Sequence, residues 1–320
     1  MRRLLIGLAA GTLFVTATAC GSSGSDGGDA GPGGTTTLKL GVIPIIDVAP
    51  LYLGEKKGFY SKRGLELEPT LAQGGAAIVP GVVSGQFDFG FSNMTSLLVA
   101  QSKNVPVKAV VNGVASTGKA GADFAEIMVG KGSPLKTASD LEGKKVAANT
   151  LGNICDTSVN ESVRKDGGDP SEVEYVEMPF DQMPAALAKG QVDAACVVEP
   201  ALATIKSQGG TVLASNFVDV SPYLTVAMYF TSQQYAAENP ETVKKFQEAT
   251  AQSLAYADEH PDEVREIITT YTKIPQNLLE TVVLPHWPAE PDRASIERLA
   301  ELGQKDDLFE KAPDLDKLLP

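Results

Sequence analysis

Histidine and cysteine, the residues on which metal sites and much nucleophilic catalysis depend, are scarce in this 320-residue chain. There are two histidines, His260 and His286, and three cysteines, Cys20, Cys155 and Cys196. His260 stands before Pro261 and reads as a helix-end residue, and His286 sits beside Trp287 between prolines and reads as packing. No HExxH, GxSxG, Walker loop or dinucleotide fingerprint occurs, so the usual zinc-protease, serine-hydrolase, nucleotidase and dehydrogenase chemistries have no carrier. We expect no catalytic residue, no metal ligand and no cofactor. Positive charge is also short: 27 Lys and Arg stand against 40 Asp and Glu. A net charge of −13 argues against nucleic acid as a partner, because such surfaces are basic. Beyond the first residues no apolar run has the ~20 positions a spanning helix requires.

The start of the chain differs from the rest. Arg2 and Arg3 precede an apolar run from Leu4 to Val15, and small residues then lead to Ala17-Thr18-Ala19-Cys20. A charged start, a short apolar core and a small-residue exit make a secretory signal peptide over residues 1–19. The exit resembles a bacterial lipobox, with Ala17 where Leu is usual. That resemblance implies cleavage before Cys20, lipidation of its thiol and a membrane anchor on the extracytoplasmic face. The other reading is ordinary cleavage with Cys20 left unmodified. Gly21 to Thr37 reads GSSGSDGGDAGPGGTTT, a flexible tether without a large apolar residue. Loss of Arg2 and Arg3 with the leader leaves 25 cationic and 40 acidic residues, a net charge of −15. Cys155 and Cys196 are free to pair in an oxidising compartment or to stay as buried thiols; spacing does not decide between these.

From residue 38 onward short apolar strands alternate with helices. Strands are expected at Leu38–Ile46, Leu65–Pro69, Phe87–Phe91 and Val107–Val111, with helices between. The alternation restarts after Ala122. Strands are expected at Asp123–Val129, Lys145–Ala148, Val173–Met178, Val192–Val198 and Thr211–Ala214, and helices at Ile154–Lys165 and Ala201–Ser207. After a strand at Leu224–Thr231 the pattern turns to helices alone: Pro240–Glu259, Pro261–Tyr271, Pro275–Val283 and Ala294–Gln304. This is an α/β architecture in two lobes. Residues 38–122 and 231–320 form lobe 1 with a helical tail. Residues 123–230 form lobe 2, including the crossover strands near Asp123–Val129 and Tyr223–Phe230.

Four segments carry a family resemblance: APLYLGEKKGFYSKRGLELE at 49–68, SGQFDFGFSNMTSLL at 84–98, DLEGKKVAANTLGN at 140–153 and MPAALAKGQVDAACVVEP at 183–200. In this order they resemble bacterial ABC-transporter substrate-binding proteins of the sulfonate/taurine/nitrate and thiamine-pyrimidine type. The resemblance implies a two-lobed periplasmic-binding-protein fold, type II-like, that closes on one solute in an interlobe cleft. It also implies a monomer that works with a membrane permease and an ATPase subunit, the ATP being hydrolysed elsewhere. A related fold serves pyrimidine-forming enzymes that use a Cys-rich motif and an active-site His; here the only histidines, His260 and His286, fall in the helical tail and no cysteines are adjacent. A sensory module reporting to a membrane receptor would share cleft and anchor.

In open α/β sheets ligands meet the carboxyl ends of strands and the amino ends of helices. Those places give the candidate solute-binding residues Asp47, Gly74, Gly75, Asn93, Met94, Thr95, Asn149, Thr150, Gly152, Asn153 and Glu199, with Cys155 in the wall of lobe 2. Each has a plainer role open to it: a turn for Gly74-Gly75, a helix cap for Asn93 and Thr95, a link between lobes for Glu199. Helix amino ends suit an acid and the carboxylates of Asp47 and Glu199 an amine. The reading leans to an organic anion or zwitterion, with a pyrimidine as the alternative.

Overall fold

The computed structural model describes residues 34–320. The expected signal peptide, Cys20 and nearly all of the tether lie outside the described residues.

Lobe 1 opens with β1 (Thr36–Val42), α1 (Ala49–Lys56), β2 (Leu65–Leu71), α2 (Gly75–Val83), β3 (Phe89–Asn93), α3 (Met94–Ser102) and β4 (Val107–Ala115). Lobe 2 follows with β5 (Ala125–Val129), β6 (Lys145–Ala148), α4 (Ile154–Lys165), β7 (Glu174–Glu177), α5 (Met183–Ala188), β8 (Ala194–Val198), α6 (Ala201–Ser207), β9 (Thr211–Ala214) and α7 (Asn216–Val220). The chain returns through β10 (Thr225–Ser232) and closes with α8 (Gln233–Glu238), α9 (Pro240–Glu259), α10 (Pro261–Ile267), α11 (Arg293–Lys305) and α12 (Leu315–Leu318).

Two five-stranded sheets result, ordered β2-β1-β3-β10-β4 and β7-β6-β8-β5-β9. Each has one antiparallel strand, β10 in the first and β5 in the second, placed fourth in the order. The strands read as sequence physics requires. β3, β5 and β8 are buried along their whole length, as strands covered on both faces must be. Parallel β1, β2 and β3 are joined by helices that pack back on the sheet, α2 resting on β3 and β1.

The second crossing lies earlier than expected. Thr225–Ser232 hydrogen-bonds to β3 and β4, so it belongs to the first sheet and not to lobe 2. The lobes are joined by residues 116–124 and 215–224. These segments are tied to each other, since Gly121 N donates to Ser215 Oγ at 2.7 Å. The first is braced from within: Ser116 Oγ and Thr117 N donate to the Asp123 carboxylate at 2.6 and 2.9 Å.

The tail is part of lobe 1. α9 presents Val243, Phe246, Ala249, Leu254 and Ala257 at helical spacing to the core. Phe246 stacks on Phe89 at 4.1 Å between ring centroids. Gly54 of α1 lets α9 approach closely, since a Cβ there would overlap the Ser253 side chain. The expected helix at Pro275–Val283 is only a 3-10 stretch, Gln276–Thr281. Lobe 2 has one apolar cluster on each face of its sheet. In the first, Cys155 of α4 and Cys196 of β8 form a disulfide with Cα atoms 5.9 Å apart. Among the described residues no helix is long and apolar enough to cross a membrane.

Candidate functional site

The carboxyl ends of strands from both sheets face one another across the gap between the lobes. Along one stretch the gap is a polar seam. Gln73, just before α2, donates from Nε2 to Asn149 O at 3.0 Å, and Asn149 Nδ2 reaches back to Gln73 O at 3.4 Å. Gly74 is the N-cap of α2, without a side-chain cap. A Cβ on Gly74 would lie 2.9 Å from Asn149 Nδ2 and 3.0 Å from Thr150 Oγ1, and one on Gly75 would overlap Ser92 Oγ. Gly74 therefore stands where backbone meets the opposite lobe, and Gly75 where α2 meets β3 of its own lobe. Further along, Asn153 Nδ2 donates to Ser96 Oγ at 2.8 Å, joining α4 to α3.

The amino ends of these helices are not equally available. Asn93 Oδ1 accepts the Ser96 N–H of α3 at 2.9 Å. At α4, Asn153 N donates to Asp156 Oδ2 at 3.0 Å and Ile154 N to Asn153 Oδ1 at 2.8 Å. Leu151 N is taken by Glu177 Oε2 at 3.1 Å, and Gly152 turns the loop at φ 59°. The first turn of α2 alone among these three has no side-chain cap.

Next to the seam the gap widens into a cavity of about 570 Å³. Lobe 1 contributes Ile43, Ile45, Leu71 and Gln73, and lobe 2 contributes Phe180, Asp181, Pro184, Ala185 and Thr204. Tyr271 to Pro275 of the tail close a third side. Tyr271 is held in place by stacking on Tyr52 at 4.1 Å and by donating its hydroxyl to Ile45 O at 3.2 Å. Lys273 and Asp181 face each other at 3.3 Å, with side chains 89% and 56% exposed, so they stand at the rim.

The expected residues fall into four overlapping groups. Gly74, Asn149 and Thr150 meet at the seam, Gly75 packs behind it on Ser92, and Asn93, Gly152 and Asn153 shape the helix starts beside it. Asp47, Thr95 and Thr150 carry polar atoms, Oδ1, Oγ1 and Oγ1, that are buried without a protein partner. Asp47 lies in the turn after β1; its carboxyl is pushed up to about 7 by burial, with the negative charge of Asp123 adding to the rise and a backbone hydrogen bond opposing it. Met94 and Cys155 are instead core residues: Met94 is wholly buried among apolar side chains, and Cys155 is consumed by the disulfide. Glu199 is wired as a link. Its Oε2 accepts Ala203 N at 2.9 Å in α6, its Oε1 accepts Val283 N at 3.0 Å in the tail, and its carbonyl accepts Ile46 N at 3.1 Å in lobe 1. Burial pushes its carboxyl up to about 7 against the two amide bonds.

Sequence reasoning missed Gln73, Phe180 and the 271–275 segment. The rule that chose Gly74 would have reached Gln73, one residue earlier, and Phe180, at a strand-to-helix junction. Nothing in the local pattern marks Tyr271. Among the described residues no group of His, Cys, Asp and Glu is placed to hold a metal ion.

The family model described as NMT1/THI5 like matches residues 45–264. The taurine-binding periplasmic protein of Escherichia coli is 26% identical over 230 residues, 72% of this chain and 67% of that protein. The formylaminopyrimidine-binding protein of Halalkalibacterium halodurans is 22% identical over 228 residues, 69% of this chain and 65% of that protein. Among solved structures, the alkanesulfonate-binding protein SsuA from Xanthomonas axonopodis pv. citri bound to MOPS superposes with a TM-score of 0.76 at 19% identity, covering 90% of this chain and 99% of that one. The two-sheet fold is thus that of periplasmic binding proteins.

Proposed function

The chain belongs to the NMT1/THI5 like family, and from that premise we propose that it is the solute-binding component of an ABC importer, taking its cargo between the two lobes. The observation that carries this reading is the interlobe gap itself: a cavity of about 570 Å³ continuous, through Gln73, with a seam where Thr150 Oγ1 is buried without a partner, as are Asp47 Oδ1 and Thr95 Oγ1 of lobe 1. A solute placed there supplies the missing partners, and contacts from both lobes make the closed form the bound form. The crossings at 116–124 and 215–224 are the hinge. The site has polar groups for orientation and no nucleophile–base pair, which fits capture without chemistry.

The cargo class we assign is a small organic anion or zwitterion, in keeping with the taurine and alkanesulfonate relatives; the formylaminopyrimidine relative supports a pyrimidine as the second reading. The protein acts on the extracytoplasmic face, as a monomer anchored through lipidated Cys20, and hands cargo to a permease driven by an ATPase subunit.

A thermal-shift panel of sulfonates, taurine, nitrate, aromatic acids and pyrimidines tests the reading. One class is expected to raise the melting temperature, by mass action worth about 2.7 kcal/mol at a hundredfold excess over Kd. Asn149→Ala is expected to lower that shift and leave the ligand-free melting temperature nearly unchanged. A panel without any shift, or product formed from a panel member, would defeat it.

A further inference from the structure

We propose that Glu126 is a proton-operated clamp on the two crossings between the lobes: neutral, it holds them together, and once ionised it loosens them. This rests on the reading of 116–124 and 215–224 as the hinge. Glu126 stands at the start of β5, directly after the first crossing, and its side chain is wholly buried. It meets both crossings. Its Oε1 accepts Asp123 N at 3.1 Å in the first, and the Ser215 hydroxyl of the second stands beside its carboxyl. Ser215 Oγ in turn accepts Gly121 N at 2.7 Å. The ties therefore run in a ring, from Glu126 to Ser215, across to Gly121 and back through Asp123.

The ring has no place for a second negative charge. Glu126 Oε2 is buried without a partner. Beside it the Asp123 carboxylate, also wholly buried, already takes Ser116 Oγ, Thr117 N and Phe124 N at 2.6, 2.9 and 2.9 Å. Lys206 of α6 is the cation that Glu126 feels, and it is only half-buried. Asp47 faces Asp123 from lobe 1 with its own Oδ1 unpartnered, and the groups around it are the Tyr229 and Tyr271 hydroxyls and the Trp287 indole, none of them a cation. An ionised carboxyl in so dry a place is relieved only by admitting water, which parts Ser215 from Gly121. Burial accordingly pushes the Glu126 carboxyl from 4.5 up to about 7; Asp123 adds to the rise, and Ser215, the Asp123 amide and Lys206 oppose it. Between those values the joined crossings keep a proton that the opened form, with its carboxyl in water, gives up. The clamp is thus complete below pH 4.5 and is lost as pH rises through 7. In mildly acidic surroundings the lobes are held in fixed relation, and above neutrality they swing more freely.

Amide hydrogen exchange of the full chain without solute, at pH 6 and pH 8, tests this once each rate is divided by the intrinsic rate at that pH. In the interval during which β3 and β8 stay protected, the amides of 116–124 and 215–224 are expected to open about tenfold more often at pH 8 than at pH 6. Glu126→Gln keeps the shape of the neutral acid and an oxygen for Asp123 N, and is expected to remove that rise; Asp47→Asn is expected to keep it. Ser215→Ala cuts the tie to Gly121 and is expected to speed exchange of both crossings at pH 6. No rise in the wild type, a rise that survives Glu126→Gln, or a rise that β3 and β8 share overturns the proposal; so does a rise lost in Asp47→Asn and kept in Glu126→Gln. The solute reading fails separately: a protein that shows the rise but answers no member of the thermal-shift panel keeps its clamp and loses its assigned cargo.

Discussion

Replacing Glu199 by Gln should change stability in a way that depends on pH. The carboxyl is fully buried and receives two amide N–H groups, from Ala203 at 2.9 Å and Val283 at 3.0 Å. A glutamine offers one carbonyl oxygen and turns its NH2 toward the second donor. One buried donor is then left unpaired, at about 1–3 kcal/mol. The glutamate has a cost of its own, because burial raises its pKa from 4.5 to about 7. Between those values the folded protein holds a proton that the unfolded chain has released. The contribution is therefore complete below about pH 4.5 and is lost as pH rises through 7, a total of about 3 kcal/mol. Glutamine does not titrate. The variant should be less stable than the wild type by about 1–3 kcal/mol at pH 4.5, with the gap near zero or reversed at pH 8. Urea unfolding of both proteins at the two pH values reads the gap directly; Asp47 and Glu126, also raised to about 7 by burial, titrate alike in both proteins and cancel. A gap that stays constant from pH 4.5 to 8 would refute the reasoning.

Other substitutions follow from the packing. Cys196→Ala opens a disulfide that closes a loop of 41 residues' separation, and chain entropy makes that cost about 4 kcal/mol in denaturant unfolding without reductant. Gly54→Ala drives a methyl into Ser253 and should cost about 1–3 kcal/mol; the double variant with Ser253→Ala, measured by thermal melting, should recover only part of it, because the Cβ that remains at 253 would still lie 2.7 Å from the new methyl. Arg164 of α4 pairs with Glu161 at 3.6 Å and with Asp306 just after α11, two carboxylates only 6% and 4% exposed. Arg164→Ala should cost about 3 kcal/mol in urea unfolding, with little dependence on salt because the pairs are sheltered.

Elements whose signals are local were legible. α4, α6, β9 and α9 run over the residues expected, because each is bracketed by a cap, a proline or a glycine and filled with an unbroken apolar pattern. At Pro275 to Val283 the expected helix does not form: the proline starts a turn, but the segment makes only 3-10 structure before it extends to pair His286 with Ala115. Sheet membership is a matter of distant partners, which is why β10 reads from sequence as part of lobe 2 and yet joins the first sheet; its own residues carry no mark of β3 or β4. The site shows the same division. Gly74, Asn149 and Thr150 were reachable from the strand-end rule. The capture of Glu199 by Val283 and the placing of Tyr271 against Ile45 were not, since each depends on a contact spanning many tens of residues.

The return of β10 to the middle of the first sheet has a consequence for how the chain acquires its structure. Every strand of the second sheet comes from one uninterrupted stretch, 125–214, whereas the first sheet cannot join β4 to β3 until β10 is available. Contacts close in sequence form sooner than those that must first close a long loop. Lobe 2 should gain amide protection before β3, β4 and β10 in pulse-labelled hydrogen exchange. The proposed hinge and the gap between the lobes are then the last parts to be assembled, so the proposed binding site exists only once the whole chain has been made.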